Sequence, residues 1–239
     1  MKSKKLLNYA VVPARSGSKR FKNKNVYKLL NKPLFYYTIY FAKKLSFVDK
    51  IIFSTDSEEY IKLAKKIPNI VIHKRNKSSS NDRAMEEDVL NDLNNFYKTK
   101  KLEIPNNIVW LRPTNPLRCI NTFEKAYKIY KKFNDPIMIV HETDSRIFFK
   151  KRNFLKPLKK EFIKKSMIRG QDIDPFYKIF SGEIFKHKKN FTSNFLGDKK
   201  RFIIAPKITN FDIDDESNML YLSYLLKKFF NKYKKFLHK

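Results

Sequence analysis

Short runs of β-branched and aromatic residues alternate with longer helical patterns along most of this chain, and this alternation limits the fold more than any other feature of the sequence. The strand candidates are NYAVVPA, KIIFSTD, IVIH, NNIVWLRP, DPIMIVHE and KRFIIAP, at residues 8–14, 50–56, 70–73, 106–113, 135–142 and 200–206. Crossover units of this kind build a largely parallel sheet flanked by helices. We therefore expect one α/β domain spanning residues 1–239.

Two helix starts can be placed from the sequence. Pro33 is suited to the first turn of a helix, where its missing N–H costs nothing. Asp215 or Ser217 could cap a later helix that runs toward residue 230.

The alternation stops between about residues 144 and 200. This segment is dense in Lys, Phe and Asn and has no clean period. It therefore predicts an inserted arm or lid rather than another crossover unit.

The charge of the chain is strongly positive, with 53 Lys and Arg against 23 Asp and Glu and a formal net charge of +30. Such a charge favours anionic partners, including nucleic acid, acidic membranes and polyanionic small molecules. However, the lysines are spread along the whole chain, only 4 glycines occur, and Phe, Tyr, Ile and Asn are abundant. This composition is typical of an AT-rich genome. Because the basic residues form no single stripe, we disfavour a nucleic-acid-binding protein as the function.

The sequence also suggests where the protein works. A single cysteine, Cys119, excludes an intramolecular disulfide framework and fits a reducing compartment. The first apolar run is short and interrupted by Asn8, so it makes a poor signal peptide and a good strand. No apolar segment approaches the roughly 20 residues of a membrane span. We expect a cytoplasmic protein without a membrane partner.

The first polar cluster follows the first strand, in AVVPARSGSKRFKNKN at residues 10–25. Gly17 allows a tight turn in which successive backbone N–H groups can face an anion. The spacing matches neither the Walker P-loop nor the G-x-G-x-x-G dinucleotide motif. The cluster is either a polyphosphate-binding loop or a solvated basic turn, and its candidate residues are Arg15, Ser16, Gly17, Ser18, Lys19 and Lys24.

The second cluster is WLRPTNPLR at residues 110–118, at the end of a strand of the buried type. Its two prolines fix the backbone around Thr114 and Asn115, and Arg112 and Arg118 lie on either side. The stretch could bind a ligand, or it could be a stiff loop that caps the following helix.

The third cluster is NFDIDDE at residues 210–216. In an extended chain, Asp212 and Asp214 project to the same face, as two carboxylates sharing a divalent cation would. An acidic helix cap is the alternative. The four histidines are isolated in the sequence, and no serine–histidine–aspartate or zinc-ligand spacing is evident.

Taken together, the motifs resemble the CMP-N-acetylneuraminate synthetase (acylneuraminate cytidylyltransferase) family. VVPARSGSKRFKNKN resembles the nucleotide loop I/V-P-A-R-S-G-S-K-G-x-x-x-K-N of that family, and LRPTNPLR resembles its L-Q-P-T-S-P-L-R. IIFSTDSEEYIKLAKK resembles its second strand and helix, and FDIDDESNM its terminal D-I-D. The likeness spans nearly the whole chain. It implies a Rossmann-like nucleotidyltransferase sheet.

The resemblance also implies a reaction, in which the anomeric hydroxyl of a 2-keto acid sugar attacks the α-phosphate of CTP and pyrophosphate leaves. Arg15, Ser18, Lys19 and Lys24 would hold the triphosphate, with Arg15, Lys19 and Asp212 as the catalytic candidates. Asn25 would lie near the nucleoside, and Arg75 and Asp82 around the cytosine. Asp212 and Asp214 would carry Mg²⁺.

The acceptor site departs from the family pattern. Arg112 and Asn115 replace a glutamine and a serine that face the sugar in the family, and Arg20 replaces a glycine in the first loop. A guanidinium suits a carboxylate or another acceptor-rich group. Sialic, legionaminic and pseudaminic acids are therefore all possible acceptors. The resemblance also implies that Thr114 contacts the sugar. A different sugar, such as a sugar phosphate, or a different nucleotide is the alternative.

In the family, the irregular segment is an arm exchanged between two subunits. RGQDIDPFYKIFSGEIF, at 169–185, resembles the family segment that supplies the sugar pocket of the partner. The resemblance thus implies a homodimer, with a dimerisation arm within 144–200 and with Arg169, Gln171 and Tyr177 as further sugar-binding residues.

Overall fold

The computed structural model describes residues 5–18, 20–165 and 167–239. Its strands are β1 Asn8–Pro13, β2 Lys28–Leu29, β3 Lys32–Pro33, β4 Lys50–Thr55, β5 Val71–Lys74, β6 Asn107–Trp110, β7 Ile137–Thr143, β8 Phe148–Lys151, β9 Phe154–Pro157, β10 Phe176–Lys186 and β11 Arg201–Ile204. Its α-helices are α1 Leu34–Lys43, α2 Glu58–Ala64, α3 Glu86–Thr99, α4 Ile120–Phe133, α5 Glu161–Lys164, α6 Glu216–Lys228 and α7 Phe230–Tyr233.

Within these residues, the central sheet has seven strands in the order β11-β7-β10-β6-β1-β4-β5. The pairs β1–β4, β1–β6, β4–β5 and β7–β11 are parallel, whereas β10 is antiparallel to both β6 and β7. The predicted α/β fold with a mostly parallel sheet is therefore confirmed. All six predicted strands lie in this sheet, and their bounds shift by one to three residues at some ends.

Helices cover both faces of the sheet because its strands are apolar on both sides. Val12 and Phe53 pack toward Phe35 of α1 and Phe123 of α4 on one face. On the other face, Val11 and Trp110 pack toward Leu93 of α3. A third cluster joins Leu34 and Tyr37 of α1 to α6 and the C-terminal segment, through Met219, Leu222, Leu226, Phe236 and Leu237. Packed helices thus cover both faces of the sheet, so a ligand site is expected in the loops at the ends of its strands.

The two helix starts lie where the sequence predicts them. α1 begins directly after Pro33. α6 begins after Asp215, whose Oδ1 accepts a hydrogen bond of 2.8 Å from the Asn218 backbone N–H. The Asn218 side-chain oxygen in turn accepts a hydrogen bond from the Asp215 N–H, which completes a capping box.

The predicted arm of 144–200 divides into two parts. Its first part forms the hairpin β8–β9, whose aromatic side chains are largely exposed, followed by the short helix α5. Its second part re-enters the sheet as β10, a strand that the sequence reading places in the arm. The projecting segment therefore ends near residue 175. At Gly182, a Cβ would lie 2.9 Å from the Trp110 carbonyl oxygen, so this strand needs glycine to pass β6.

Among the residues that the structure describes, none of the helices is long and apolar enough to cross a membrane.

Candidate active site

The loops after β1, β4, β5 and β6 lie at one edge of the sheet, because these strands are parallel and their carboxyl ends coincide. This is the edge at which open α/β sheets bind ligands. The first polar cluster follows β1 and the second follows β6. The fold therefore brings two of the predicted clusters to one place.

The first loop is held in shape by Asp56, which follows β4. Its Oδ1 accepts the Ser16 backbone N–H at 2.8 Å, and its Oδ2 accepts the Ser16 hydroxyl at 2.9 Å. Further along the loop, the side-chain amide of Asn25 donates to the Arg15 carbonyl at 3.0 Å. The sequence reading missed Asp56, although its position directly after a strand could have indicated it.

The predicted nucleotide residues of this loop lie against the segment that follows β5. Arg15 Nη1 donates to the carbonyl of Asn81 at 3.3 Å, which joins the loop to the segment after β5. A Cβ at Gly17 would lie 4.0 Å from a carboxylate oxygen of Asp82, so those two predicted residues are also neighbours. Ser18 is half-buried beside them. Lys19, predicted to hold the triphosphate, lies outside the described residues.

The third cluster packs against the second. The backbone N–H of Ile213 donates to the Thr114 carbonyl at 2.8 Å. Asn115 is fully buried, and its amide donates to the carbonyls of Thr209 and Phe211 at 3.0 and 2.8 Å. In this conformation Asn115 braces the acidic segment, and its contact with a sugar stays a prediction.

Basic side chains of the first loop contact the acidic segment. Lys24 Nζ lies 3.1 Å from Asp214 Oδ1, and Arg20 Nη2 lies 3.3 Å from Asp214 Oδ2. The side chain of Arg20 is 74% exposed, so its pair contributes little to stability. These contacts give Arg20 a partner, and they join the first cluster to the third.

The acidic segment suits a hard divalent cation. Asp212 Oδ1 is buried and lacks a hydrogen-bond partner among the described residues, which marks it as an oxygen available to a ligand. No group of three or more His, Cys, Asp or Glu side chains within the described ranges is arranged to hold a metal. Mg²⁺ is usually bound by one or two carboxylates together with substrate phosphates, and Asp212 offers such an oxygen. Both oxygens of Asp214 are paired with Lys24 and Arg20, so its part in holding the ion stays a prediction.

Arg112 is engaged by two carboxylates of the protein. Its Nη1 lies 2.7 and 2.8 Å from the carboxylate oxygens of Glu183, and its Nη2 lies 3.2 Å from Glu86 Oε1. Burial lowers the pKa of Arg112, but these two glutamates outweigh burial and raise it overall. Burial raises the pKa of Glu183, against the effect of Arg112. Since Arg112 is already paired, its predicted contact with the acceptor stays a prediction.

Arg118, which ends the second cluster in the sequence, is a structural centre whose contacts the sequence did not reveal. It is 1% exposed, and its guanidinium donates to the Ser181 carbonyl at 2.9 Å and to Thr38 Oγ1 at 2.9 Å. It also donates to the carbonyls of Arg112 and Asn115. Burial and the nearby Arg112 charge lower its pKa to about 9. One side chain thus ties the second cluster to α1 and β10.

The predicted arm residues lie on exposed surface. Arg169 Nε pairs with Asp172 Oδ2 at 2.8 Å, and Gln171 is exposed beside them. Tyr177 lies at the start of β10, with its ring 5.3 Å from that of Phe202. Within the described part of the chain, no hydrogen bond, ion pair or ring contact joins these residues to the first loop. Their role in sugar binding stays a prediction.

Comparison with known proteins identifies the family to which this chain belongs. A family model described as cytidylyltransferase matches residues 9–200. An N-acylneuraminate cytidylyltransferase of Escherichia coli O18:K1:H7 is 28% identical over 218 residues, which are 86% of this chain and 49% of that protein. A pseudaminic acid cytidylyltransferase of Campylobacter jejuni, strain 81-176, is 32% identical over 121 residues, which are 51% of this chain and 52% of that protein. The chain thus spans about half the length of these relatives.

Solved structures resemble the fold at low sequence identity. A CMP:2-keto-3-deoxy-manno-octonic acid synthetase superposes with a TM-score of 0.64 at 11% identity, covering 93% of this chain and 99% of that one. At this identity the likeness establishes the architecture of the sheet and its helices.

Proposed function

Because the chain belongs to the cytidylyltransferase family, we propose that it couples CTP to the anomeric hydroxyl of a nine-carbon 2-keto acid sugar. The observation that carries the proposal is the ion pair between Lys24 and Asp214, at 3.1 Å. It joins a basic loop, suited to a triphosphate, to a pair of carboxylates suited to a divalent cation. Nucleotidyl transfer needs both, since charge builds up on the transferring and leaving phosphates.

The first loop would bind the triphosphate. Arg15, Ser18, Lys19 and Lys24 are the binding residues that we propose, together with the backbone N–H groups around Gly17. Asn25 supports a nucleoside contact nearby, because its Oδ1 is buried without a hydrogen-bond donor among the described residues. Such an atom is suited to accept a hydrogen bond from a ligand.

Asp56 should preorganise this loop for CTP. Asp56→Ala removes both hydrogen bonds to Ser16, so we expect the Kd for CTP to rise about 5- to 100-fold, since two hydrogen bonds at about 0.5–1.5 kcal/mol each amount to about 1–3 kcal/mol. Ser16→Ala, which keeps the backbone hydrogen bond, should cause a smaller rise. Isothermal titration calorimetry measures both. A tighter Kd in Asp56→Ala would mean that repulsion between Asp56 and the phosphates outweighs its hold on the loop.

Asp212 and Asp214 would hold Mg²⁺, which when bound neutralises charge on the phosphates. The chain itself supplies the other parts. Its basic loop orients the triphosphate, and the acceptor hydroxyl attacks the α-phosphorus as the bond to the leaving pyrophosphate breaks. The hydroxyl proton must leave during this step, and we propose the carboxylate of Asp212 to assist, since its Oδ1 carries no hydrogen bond among the described residues.

The acceptor would lie near the loop after β6. Thr114 is half-buried there, beside the acidic segment. Arg112 and its two glutamates carry a net charge of −1 when all three are ionised, so recognition of a sugar carboxylate would need Arg112 to leave them or another cation to act. We propose sialic, legionaminic or pseudaminic acids as the acceptor class.

A homodimer in the cytoplasm completes the proposal. The projecting arm supports a partner subunit because its large apolar side chains are exposed, including Phe154 and Leu155 at 72% each. Arg169, Gln171 and Tyr177 would then reach the sugar site of the partner subunit. The single cysteine, Cys119, is free, as is usual in a reducing compartment.

Pyrophosphate release tests the proposal. The protein is incubated with Mg²⁺, with CTP, UTP, GTP or ATP, and with a panel of sialic, legionaminic, pseudaminic and 2-keto-3-deoxy-octonic acids and a sugar 1-phosphate. We expect release with CTP and at least one nine-carbon acid. Release with only a sugar phosphate, or only with another nucleotide, would contradict the proposed substrates, and no release with any pair would contradict the reaction.

A further inference from the structure

A chain of buried polar side chains lies behind the predicted nucleotide residue Arg75. It comprises Asp92 of α3, His73 of β5 and Ser54 of β4, and these are 9%, 1% and 0% exposed. We propose that this chain positions the guanidinium of Arg75 for the nucleotide, so that Ser54 and His73 determine CTP affinity without touching the ligand. The inference rests on the proposed function.

The hydrogen bonds of this chain run in one direction. Arg75 Nε donates to Ser54 Oγ at 3.0 Å, and its Nη2 donates to the Ser54 carbonyl at 3.3 Å. Ser54 Oγ lies 3.1 Å from His73 Nδ1, and His73 Nε2 lies 3.3 Å from Asp92 Oδ2. With the proton of His73 on Nε2, facing Asp92, its Nδ1 accepts the Ser54 hydroxyl and Ser54 Oγ is free to accept from Arg75. The spacing of residues in the sequence could not reveal this chain of hydrogen bonds, because its members come from separate strands and helices.

The far end of the chain is fixed by the loop after β5. Asp92 accepts the Asn76 backbone N–H at 2.9 Å, the Asn76 side-chain amide at 2.7 Å and the Ser79 hydroxyl at 2.5 Å. Burial raises the pKa of Asp92, but hydrogen bonds from His73, Ser79 and Asn76 outweigh burial and keep it below its ordinary value. Asp92 therefore stays ionised, and it holds His73 in one tautomer.

Arg75 itself is a buried cation that forms no ion pair with the described residues. It is 9% exposed, and no carboxylate among the described residues lies within ion-pairing distance of it. Burial lowers its pKa to about 10, and nearby Arg15 adds to this, whereas Asp56 opposes it. Its two hydrogen bonds use Nε and Nη2, and no acceptor in the described part of the chain contacts Nη1. A buried guanidinium in this state is suited to an acceptor-rich ligand.

The position of Arg75 agrees with such a ligand. Its backbone N–H donates to the Thr55 carbonyl at 2.9 Å, which places Arg75 at the carboxyl edge of the sheet, beside the loop that carries Arg15 and Ser16. A side chain that only filled the core would not need a guanidinium at this edge. The buried chain behind it fixes the direction in which the guanidinium can donate.

A double-mutant cycle tests whether Ser54 acts through Arg75. Calorimetric titration with CTP should show a Kd raised about 10- to 100-fold in Arg75→Ala and about 10-fold in Ser54→Ala, as for hydrogen bonds to a charged group. The double variant should bind within about twofold of Arg75→Ala, because two residues in one network are not additive. The kcat at saturating CTP should stay within about threefold in Ser54→Ala.

Two substitutions of His73 give a second, matched test. Asn places an amide oxygen near the position of Nδ1 and can still accept the Ser54 hydroxyl, whereas Gln extends toward the position of Nε2 and cannot. We expect CTP affinity in His73→Asn within about threefold of wild type and a clear loss in His73→Gln, with similar unfolding midpoints. Ser46→Ala, which removes a distant hydroxyl bonded to Glu124 at 2.9 Å, is the control and should leave the Kd unchanged.

Each outcome decides between the proposals. Additive losses in the double variant, or equal losses in His73→Asn and His73→Gln, would overturn the positioning role while leaving the proposed function intact. Normal CTP affinity in Ser54→Ala would do the same. Wild-type protein that binds no nucleotide would overturn both proposals.

Discussion

Asp212→Asn is expected to lower the rate of pyrophosphate release from CTP by about 100- to 1,000-fold, the range seen when one preorganised electrostatic group is lost from a site. The substitution keeps the shape of the side chain and removes its charge. Asp212 Oδ1 is buried without a hydrogen-bond donor among the described residues, so folding should not depend on its charge. The unfolding midpoint should therefore stay the same or rise while activity falls.

Asp215→Asn is the matched control for this loss. Asp215 lies three residues further along the same segment, where its side chain caps α6. Asparagine is an equally good helix cap, so both stability and activity should be retained. Pyrophosphate release and calorimetric unfolding of the two variants, measured at several Mg²⁺ concentrations, give the comparison. Activity in Asp212→Asn within twofold of wild type, or an equal loss in Asp215→Asn, would contradict the assignment of Asp212.

Arg118→Met should cause a large loss of stability. Methionine fills much of the volume of arginine but leaves the carbonyls of Arg112, Asn115 and Ser181 without their donor. We expect the free energy of unfolding to fall by about 3–5 kcal/mol, since each buried polar group left unpaired costs about 1–3 kcal/mol. Urea unfolding followed by circular dichroism measures the change. Because Arg118 also supports the loop after β6, activity should fall at temperatures where the protein is still folded.

Arg146→Met provides the control for a change from arginine to methionine. Arg146 pairs with Asp144 on the arm, and the two side chains are 56% and 53% exposed. Exposed pairs contribute little, so the unfolding midpoint should stay close to that of wild type. If both variants unfold at the wild-type midpoint, the four hydrogen bonds of Arg118 do not support the fold as we infer.

Most of the sheet could be predicted because its strands carry a local signal. β1, β4 and β6 are apolar on both sides, and helical periods separate them. β10 could not be predicted in the same way. Its first half is exposed and its second half is buried, with a register shift between Ile179 and Gly182, so no single period runs through it. Its place between β6 and β7 depends on pairing across the chain, which no local pattern encodes.

The candidate site was predictable where its chemistry lies in loops. Lys24 and Asp214 are 190 positions apart, and the sequence reading placed both in one nucleotide site. It did not show that Arg112 is engaged by Glu183 and Glu86, because those glutamates come from β10 and α3. The supporting roles of Asp56 and Arg118 were not predicted for the same reason: their hydrogen-bond partners are set by tertiary packing.

The place of β10 in the sheet has a consequence for the order in which the chain can fold. β6, β1, β4 and β5 are formed within the first 110 residues and can pair with one another as soon as that part is made. β7 and β11 pair with each other, and among the described strands β10 alone connects them to the rest of the sheet. The β7–β11 pair therefore cannot join β6, β1, β4 and β5 until β10, which follows the arm in the sequence, has paired with both β6 and β7. Such non-local pairing is intrinsically slow, so docking of β10 should limit the rate of refolding.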